Sequence, residues 1–140
     1  MDTSQSFSLP EEDEDYLNTT SFSYTTIKEN NFRWLIITNF PIPHGYNTQI
    51  ASLAISIPSS YPTTQIDMAY FHPALKRNDQ KSIGATQCTQ TIDGKLYQRW
   101  SRHRTSCNPW RPGLDDISSH ISLVEEWLKR EFVKKTGDLA

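Results

Sequence analysis

The chain has 140 residues, 36% of them hydrophobic, 11% aromatic and 21% charged, with a formal net charge of −2. A chain of this length forms one ordinary domain and buries roughly 70% of its unfolded surface. The composition is too apolar for a disordered chain, no run approaches the ~20 apolar residues of a membrane crossing, and the charge balance excludes a whole-chain electrostatic footprint for nucleic acid.

Residues 1–8 are polar and read as a flexible terminus, and Met1 to Gln5 lacks the basic and apolar regions of a secretory signal, so a cytoplasmic protein is expected. Pro10 followed by Glu11-Glu12-Asp13-Glu14-Asp15 predicts a short helix, because proline suits the first turn and acids suit the positive end of the helix dipole. Strand-forming residues then recur over 22–28, over 32–40 around Trp34-Leu35-Ile36-Ile37, over 48–57 and over 66–71. Between them lie Glu29-Asn30-Asn31, the loop from Pro41 to Asn47 and the rigid turn from Pro58 to Pro62; His72-Pro73 closes the last strand. Residues 74–92 are polar and poorly periodic and read as irregular chain. Asp93-Gly94 is a hairpin-type pair, 96–104 is aromatic and basic, and Thr105 to Gly113 is loop.

Ile117, Ile121, Val124, Leu128 and Phe132 then follow at helical spacing and predict an amphipathic helix near 114–134 with that stripe buried. Asp115 and Asp116 stand at its start, Lys129, Arg130, Lys134 and Lys135 toward its end, and Gly137 as its stop. Strands first and a helix after them give an α+β domain over 9–135. It is a four-stranded antiparallel meander with a short N-terminal helix and a C-terminal helix packed on one face, followed by a tail over 136–140.

Cys88 and Cys107 are the only cysteines, and with His44, His72, His103 and His120 they show no metal-ligand spacing, so neither a metal nor a cofactor is expected. In Trp100-Ser101-Arg102-His103 the serine and histidine stand at i and i+2. On an extended segment they share a face, and His103 is placed to take the Ser101 proton. Arg99, Arg102 and Arg104 are candidates to hold a developing oxyanion or the acidic surface of a partner. The same stretch, with Tyr97, Trp100 and Trp110, also reads as an exposed edge that binds a partner, and Ser-x-His spacing arises by chance in many chains.

Three landmarks resemble those of ubiquitin-conjugating enzymes. Tyr61-Pro62 matches a Tyr-Pro turn after the third strand, His72-Pro73-Ala74 sits where that family has His-Pro-Asn, and Trp110-Arg111-Pro112 matches its Trp-x-Pro step. Leu9-Pro10, Pro43-His44-Gly45-Tyr46-Asn47, Pro58 to Pro62 with Asp67-Met68, and Trp100 to His103 resemble more closely a bacterial branch, the prokaryotic ubiquitin-conjugating-like family E, over roughly residues 9–132. The resemblance implies a ubiquitin-conjugating fold and the transfer of a ubiquitin-like modifier to a target. It implies as partners that modifier, a ThiF-like activating enzyme that uses the ATP, and a JAB-type peptidase, in bacterial antiviral defence, with no cofactor, nucleic acid or membrane.

The wider family's nucleophilic cysteine lies about eight residues before the tryptophan of Trp-x-Pro. Counted back from Trp110 that place is Arg102, between Ser101 and His103, whereas Cys107 is three residues before Trp110 and Cys88 twenty-two. The family's oxyanion-assisting asparagine is Ala74 here. The resemblance therefore implies Ser101 as acyl carrier, giving an oxyester in place of a thioester, and His103 as its base. Cys107 is the runner-up carrier, and Arg102, His72 and Trp110 are supporting residues. Asp115 and Asp116 read first as helix-start residues and second as guides for an incoming lysine. The alternative is a catalytically inactive adaptor of the same fold that binds the modifier or the activating enzyme. A nucleic-acid binder using Arg99, Arg102 and Arg104 is disfavoured by the net charge.

Overall fold

The computed structural model describes residues 7–138, and the side chains of the last helix as far as residue 133. The expected looseness of residues 1–8 and the end of the expected tail lie mostly outside that range. Helix α1, Glu11–Thr19, starts on Pro10, whose carbonyl accepts the N–H groups of Asp13 and Glu14. Six strands follow: β1 Tyr24–Glu29, β2 Phe32–Pro41, β3 Ile50–Ser56, β4 Ala69–His72, β5 Thr89–Ile92 and β6 Lys95–Trp100. Helix α2, Ile117–Asp138, closes the chain. All strand pairs are antiparallel, in the order β1-β2-β3-β4-β6-β5.

The four expected strands are present with shifted ends, but the sheet has six strands, which corrects the four-stranded expectation. The added pair is the hairpin around Asp93-Gly94, with φ +51° and +76° at those residues and Ile92 opposite Lys95. That is the two-residue turn whose backbone twist matches the strands. Asn30 and Asn31 (φ +53° and +71°) build the same turn between β1 and β2. Strand β5, Thr-Gln-Thr-Ile, buries only Ile92, so it carries almost no hydrophobic signal.

Both faces of the sheet are dry. Toward α2, Leu35, Ile37, Leu53, Ile55, Phe71 and Trp100 pack with Ile117, Ile121, Val124 and Leu128. On the other face Trp34, Ile36, Ala54, Tyr70, Ile92 and Tyr97 form a second cluster. Among the described residues no helix contributes to that cluster; the sheet curls, and the β5–β6 hairpin supplies Ile92 and Tyr97. The Glu29 carboxylate at the end of β1 accepts the Asp93 N–H through both oxygens at 3.1 Å, which pins the two sheet edges together. This double burial is why Trp34 to Ile37 is an unbroken apolar run rather than an alternating one.

Helix α2 differs from expectation in two details. Phe132 is only half-buried, resting against Gly45 and Tyr46 (ring centroids 5.2 Å apart) with the Arg77 guanidinium above it at 4.5 Å. Gly137 does not end the helix, which runs to Asp138; glycine permits a stop without forcing one. At the other end Asp116 caps α2 by accepting the Ser119 N–H at 3.1 Å. Asp13 of α1 reaches across to the same end. Its carboxylate accepts the Tyr61 hydroxyl at 2.7 Å and the Ile117 N–H at 3.3 Å, and burial holds its carboxyl above the usual range.

Gly45 has φ +110°, and a Cβ there would stand 2.6 Å from Phe132 Cζ. Gly45→Ala therefore meets both a backbone penalty and a collision. It should lower stability by roughly 1–3 kcal/mol, read as a lower urea midpoint at unchanged slope.

Candidate functional site

Strand β6 leaves the sheet at Trp100, and the chain continues without regular structure to Trp110. Its first residues stay hydrogen-bonded on both sides. The Ser101 N–H donates to Ala85 O at 3.0 Å, and Arg102 O accepts the Met68 N–H at 2.9 Å. Ser101 is half-buried and His103 exposed.

The arginines of this segment turn inward. Arg102 stacks over the Trp100 ring at 4.8 Å, donates to Gly84 O at 3.0 Å and pairs with Glu131 of α2 at 3.2 Å. Arg104, with a side chain only 5% exposed, lies over the Trp110 ring at 5.2 Å and 3.7 Å from the Asp115 carboxylate. These contacts engage both guanidinium groups in packing the segment onto α2. Burial would raise the Asp115 carboxyl, but the Arg111 N–H, Ser119, Arg104 and Arg111 together hold it below the usual range.

The supporting residues separate. Trp110 donates its indole N–H to Pro62 O at 2.9 Å, anchoring the far end of the 101–110 segment on the Tyr61-Pro62 turn. His72 is elsewhere. It lies at the opposite end of β4 from the Met68–Arg102 contact, its Nδ1 is 2.9 Å from Leu96 O, and its ring faces Tyr97. In the β4–β6 register it is level with Tyr97, four residues before Ser101, roughly 13 Å along the strand. Here His72 braces the sheet, and the Ala74 carbonyl accepts the Asn47 side-chain amide at 3.2 Å. Cys107 and Cys88 are both exposed free thiols, and the Cys107 N–H donates to Thr105 Oγ1.

Ser101 and His103 share a segment, but no hydrogen bond joins their side chains among the described residues. His103 Nδ1 instead lies 3.7 Å from Asp67 Oδ2, the carboxylate oxygen to which Gln65 donates at 2.8 Å. Beneath this pair the wholly buried His120 donates from Nε2 to Met68 O at 2.9 Å. Burial lowers its pKa to about 4, so it is neutral near pH 7. Two residues that sequence reading missed are thus part of the site. Asp67 stood there only as part of a matching string, and Glu131 was not singled out; neither carries a local signal, because its partner lies far along the chain. Among the described residues no group of His, Cys, Asp and Glu side chains could hold a metal. An open groove of about 570 Å³ runs between Arg104, Asn108 and the outer face of α2 at Leu123, Lys129 and Val133.

Residues 9–131 match the family model for prokaryotic E2 family E. The chain belongs to that family. Searches of curated proteins and of solved structures returned no match. Membership in prokaryotic E2 family E gives the chain a ubiquitin-conjugation-like role, and as general partners a ubiquitin-like modifier and an activating enzyme. Among the described residues no helix is long and apolar enough to cross a membrane.

His120 makes stability pH-dependent. Its folded pKa of about 4 lies below the unfolded value of 6.5, so the unfolded state binds the proton first and stability is lost as pH falls from 6.5 toward 4. The loss attributable to this residue is about 3 kcal/mol. His120→Gln keeps a donor for Met68 O and removes the titration. Urea unfolding at pH 7 and pH 4 should show a correspondingly smaller acid loss in that variant.

Proposed function

We propose that the chain accepts the activated carboxyl end of a ubiquitin-like modifier from a ThiF-like activating enzyme, carries it as an oxyester on Ser101 and passes it to a target amine. ATP is consumed by the activating enzyme. In loading, Ser101 Oγ attacks the activated acyl carbon, its proton goes to His103 Nε2, and the activating enzyme's leaving group departs with a proton. In transfer, the amine attacks the ester carbonyl and gives its proton to His103, which passes it to Ser101 Oγ as the ester bond breaks.

The observation that carries this reading is the segment after β6. Arg102 and Arg104 reach the acids of α2 and its leading turn, as alternate residues of an extended segment do, and Ser101 and His103 are the other alternating pair. The register from Trp110, itself anchored on Pro62 O, falls on Arg102, one residue from that serine. A role in bacterial antiviral defence, in the cytoplasm and beside a JAB-type peptidase, accompanies this reading. The competing reading is an inactive adaptor, favoured by Ala74 in place of asparagine and by the distance of His72 from Ser101.

Reconstitution with the cognate activating enzyme, modifier and ATP, followed by mass spectrometry, decides between them. The adduct should survive a thiol reductant and be cut by hydroxylamine. Ser101→Ala should abolish it, His103→Ala should slow it by roughly 10²–10⁴-fold, and Cys88 and Cys107 changed together to Ala should leave it. An adduct that persists in Ser101→Ala and disappears in Cys107→Ala returns the role to the thiol. Binding of both partners with no covalent species in any variant establishes the adaptor.

A further inference from the structure

We propose that Asp67 is a positioning residue that holds His103 with Nδ1–H toward its carboxylate, leaving Nε2 as the basic nitrogen for Ser101; this rests on the function proposed above. The observation is the backbone between them. Met68 has φ +65°, a left-handed conformation uncommon for a residue with a side chain. It is held there from both sides, its N–H on Arg102 O and its carbonyl on the buried His120, each at 2.9 Å. Ala69, the next residue, pairs with Trp100 as β4 begins. Continued, that register would set Met68 against Ser101; the Met68 N–H instead meets Arg102 O, a slip of one residue at the left-handed Met68, and the residues just outside that bond are Asp67 and His103. A strained conformation fixed by two hydrogen bonds presents one carboxylate to one imidazole.

The carboxylate is prepared for that partner. Asp67 Oδ2 already accepts from Gln65, which fixes the plane of the group, and lies 3.7 Å from His103 Nδ1. Asp67 Oδ1 is buried and has no donor among the described residues. A buried acceptor without a donor is costly, and a small movement of the exposed His103 ring supplies one. Catalytic hydrogen bonds are often long before the reactants arrive and tighten in the loaded complex. A carboxylate behind a histidine keeps the tautomer that leaves the reacting nitrogen unprotonated, and changing such a carboxylate to an amide costs rate through the wrong tautomer.

The test has two arms. Nitrogen-15 NMR of the histidine rings at neutral pH, on the protein alone, reads the tautomer. His103 should be the Nδ1–H form in the wild type and move toward the Nε2–H form in Asp67→Asn, with Asp67→Glu recovering much of the Nδ1–H form. In the reconstituted loading assay Asp67→Asn should slow ester formation on Ser101 by at least about tenfold, with the half-saturating concentration of charged activating enzyme unchanged and Asp67→Glu restoring much of the rate. A His103 tautomer that is the same in wild type and Asp67→Asn overturns the assignment whatever the chemistry at Ser101. A tautomer change with an unchanged loading rate overturns the positioning role alone. No adduct in the wild type overturns the function proposed above and the role with it, while the NMR arm still reports the contact.

Discussion

One carboxylate holds the candidate site onto the rest of the molecule. Glu131 on α2 is 3% exposed, and two arginines from distant parts of the chain converge on it. Arg102 meets it at 3.2 Å; Arg77, itself buried, lies 3.9 Å from the carboxylate and donates to the Glu131 carbonyl at 2.8 Å. Arg77 also pairs with Asp79 through Nε and Nη2, whereas Arg102, 18% exposed, has Glu131 as its carboxylate partner and Gly84 O as a further acceptor. Glu131 thereby joins α2, the segment after β4 and the segment after β6. With Arg102 held there, the chain on either side of it has little freedom: Ser101 is bonded to Ala85, and His103 is brought beside Asp67.

The second determinant is strand order. Because β6 inserts between β4 and β5, the start of β4 lies beside the end of β6. That juxtaposition puts Asp67 and Met68 next to Arg102 and His103, and it puts His72 at the other end of the strand pair. The hairpin responsible also covers the sheet face that α2 leaves bare, so the same twelve residues complete the core and build the site. A chain whose 89–100 region were irregular would have neither.

Much of this was legible along the sequence, and what was missed has a common cause. Helix α1 follows from Pro10 and its acids, β1 to β4 from β-branched and aromatic runs, and α2 from a stripe whose members Ile117, Ile121, Val124 and Leu128 are fully buried. The β5–β6 turn was visible as Asp93-Gly94, but its strands were not, because Thr89 and Thr91 are exposed polar residues and Tyr97 and Trp100 bury on opposite faces. Ser101, His103 and Trp110 could be singled out because they lie close together in sequence and in register with a family landmark. Asp67 and Glu131 could not: one lies thirty-six residues before His103, the other twenty-nine after Arg102, and long-range charge pairs leave no periodicity. His72 was drawn toward the site by its resemblance, and the strand order places it elsewhere.

The account turns on Glu131 tying the Arg102 segment and Arg77 to α2, and urea unfolding of Glu131→Gln near pH 7 tests that most directly. The amide keeps the size of the side chain and removes the charge. The loss of stability should be roughly 1.5–3 kcal/mol, as for hydrogen bonds to a charged group, with exchange protection lost first at the Ser101 and Met68 amides. A loss below about 1 kcal/mol, with those amides still protected, would show that the segment is held by packing and backbone bonds alone and would contradict the account.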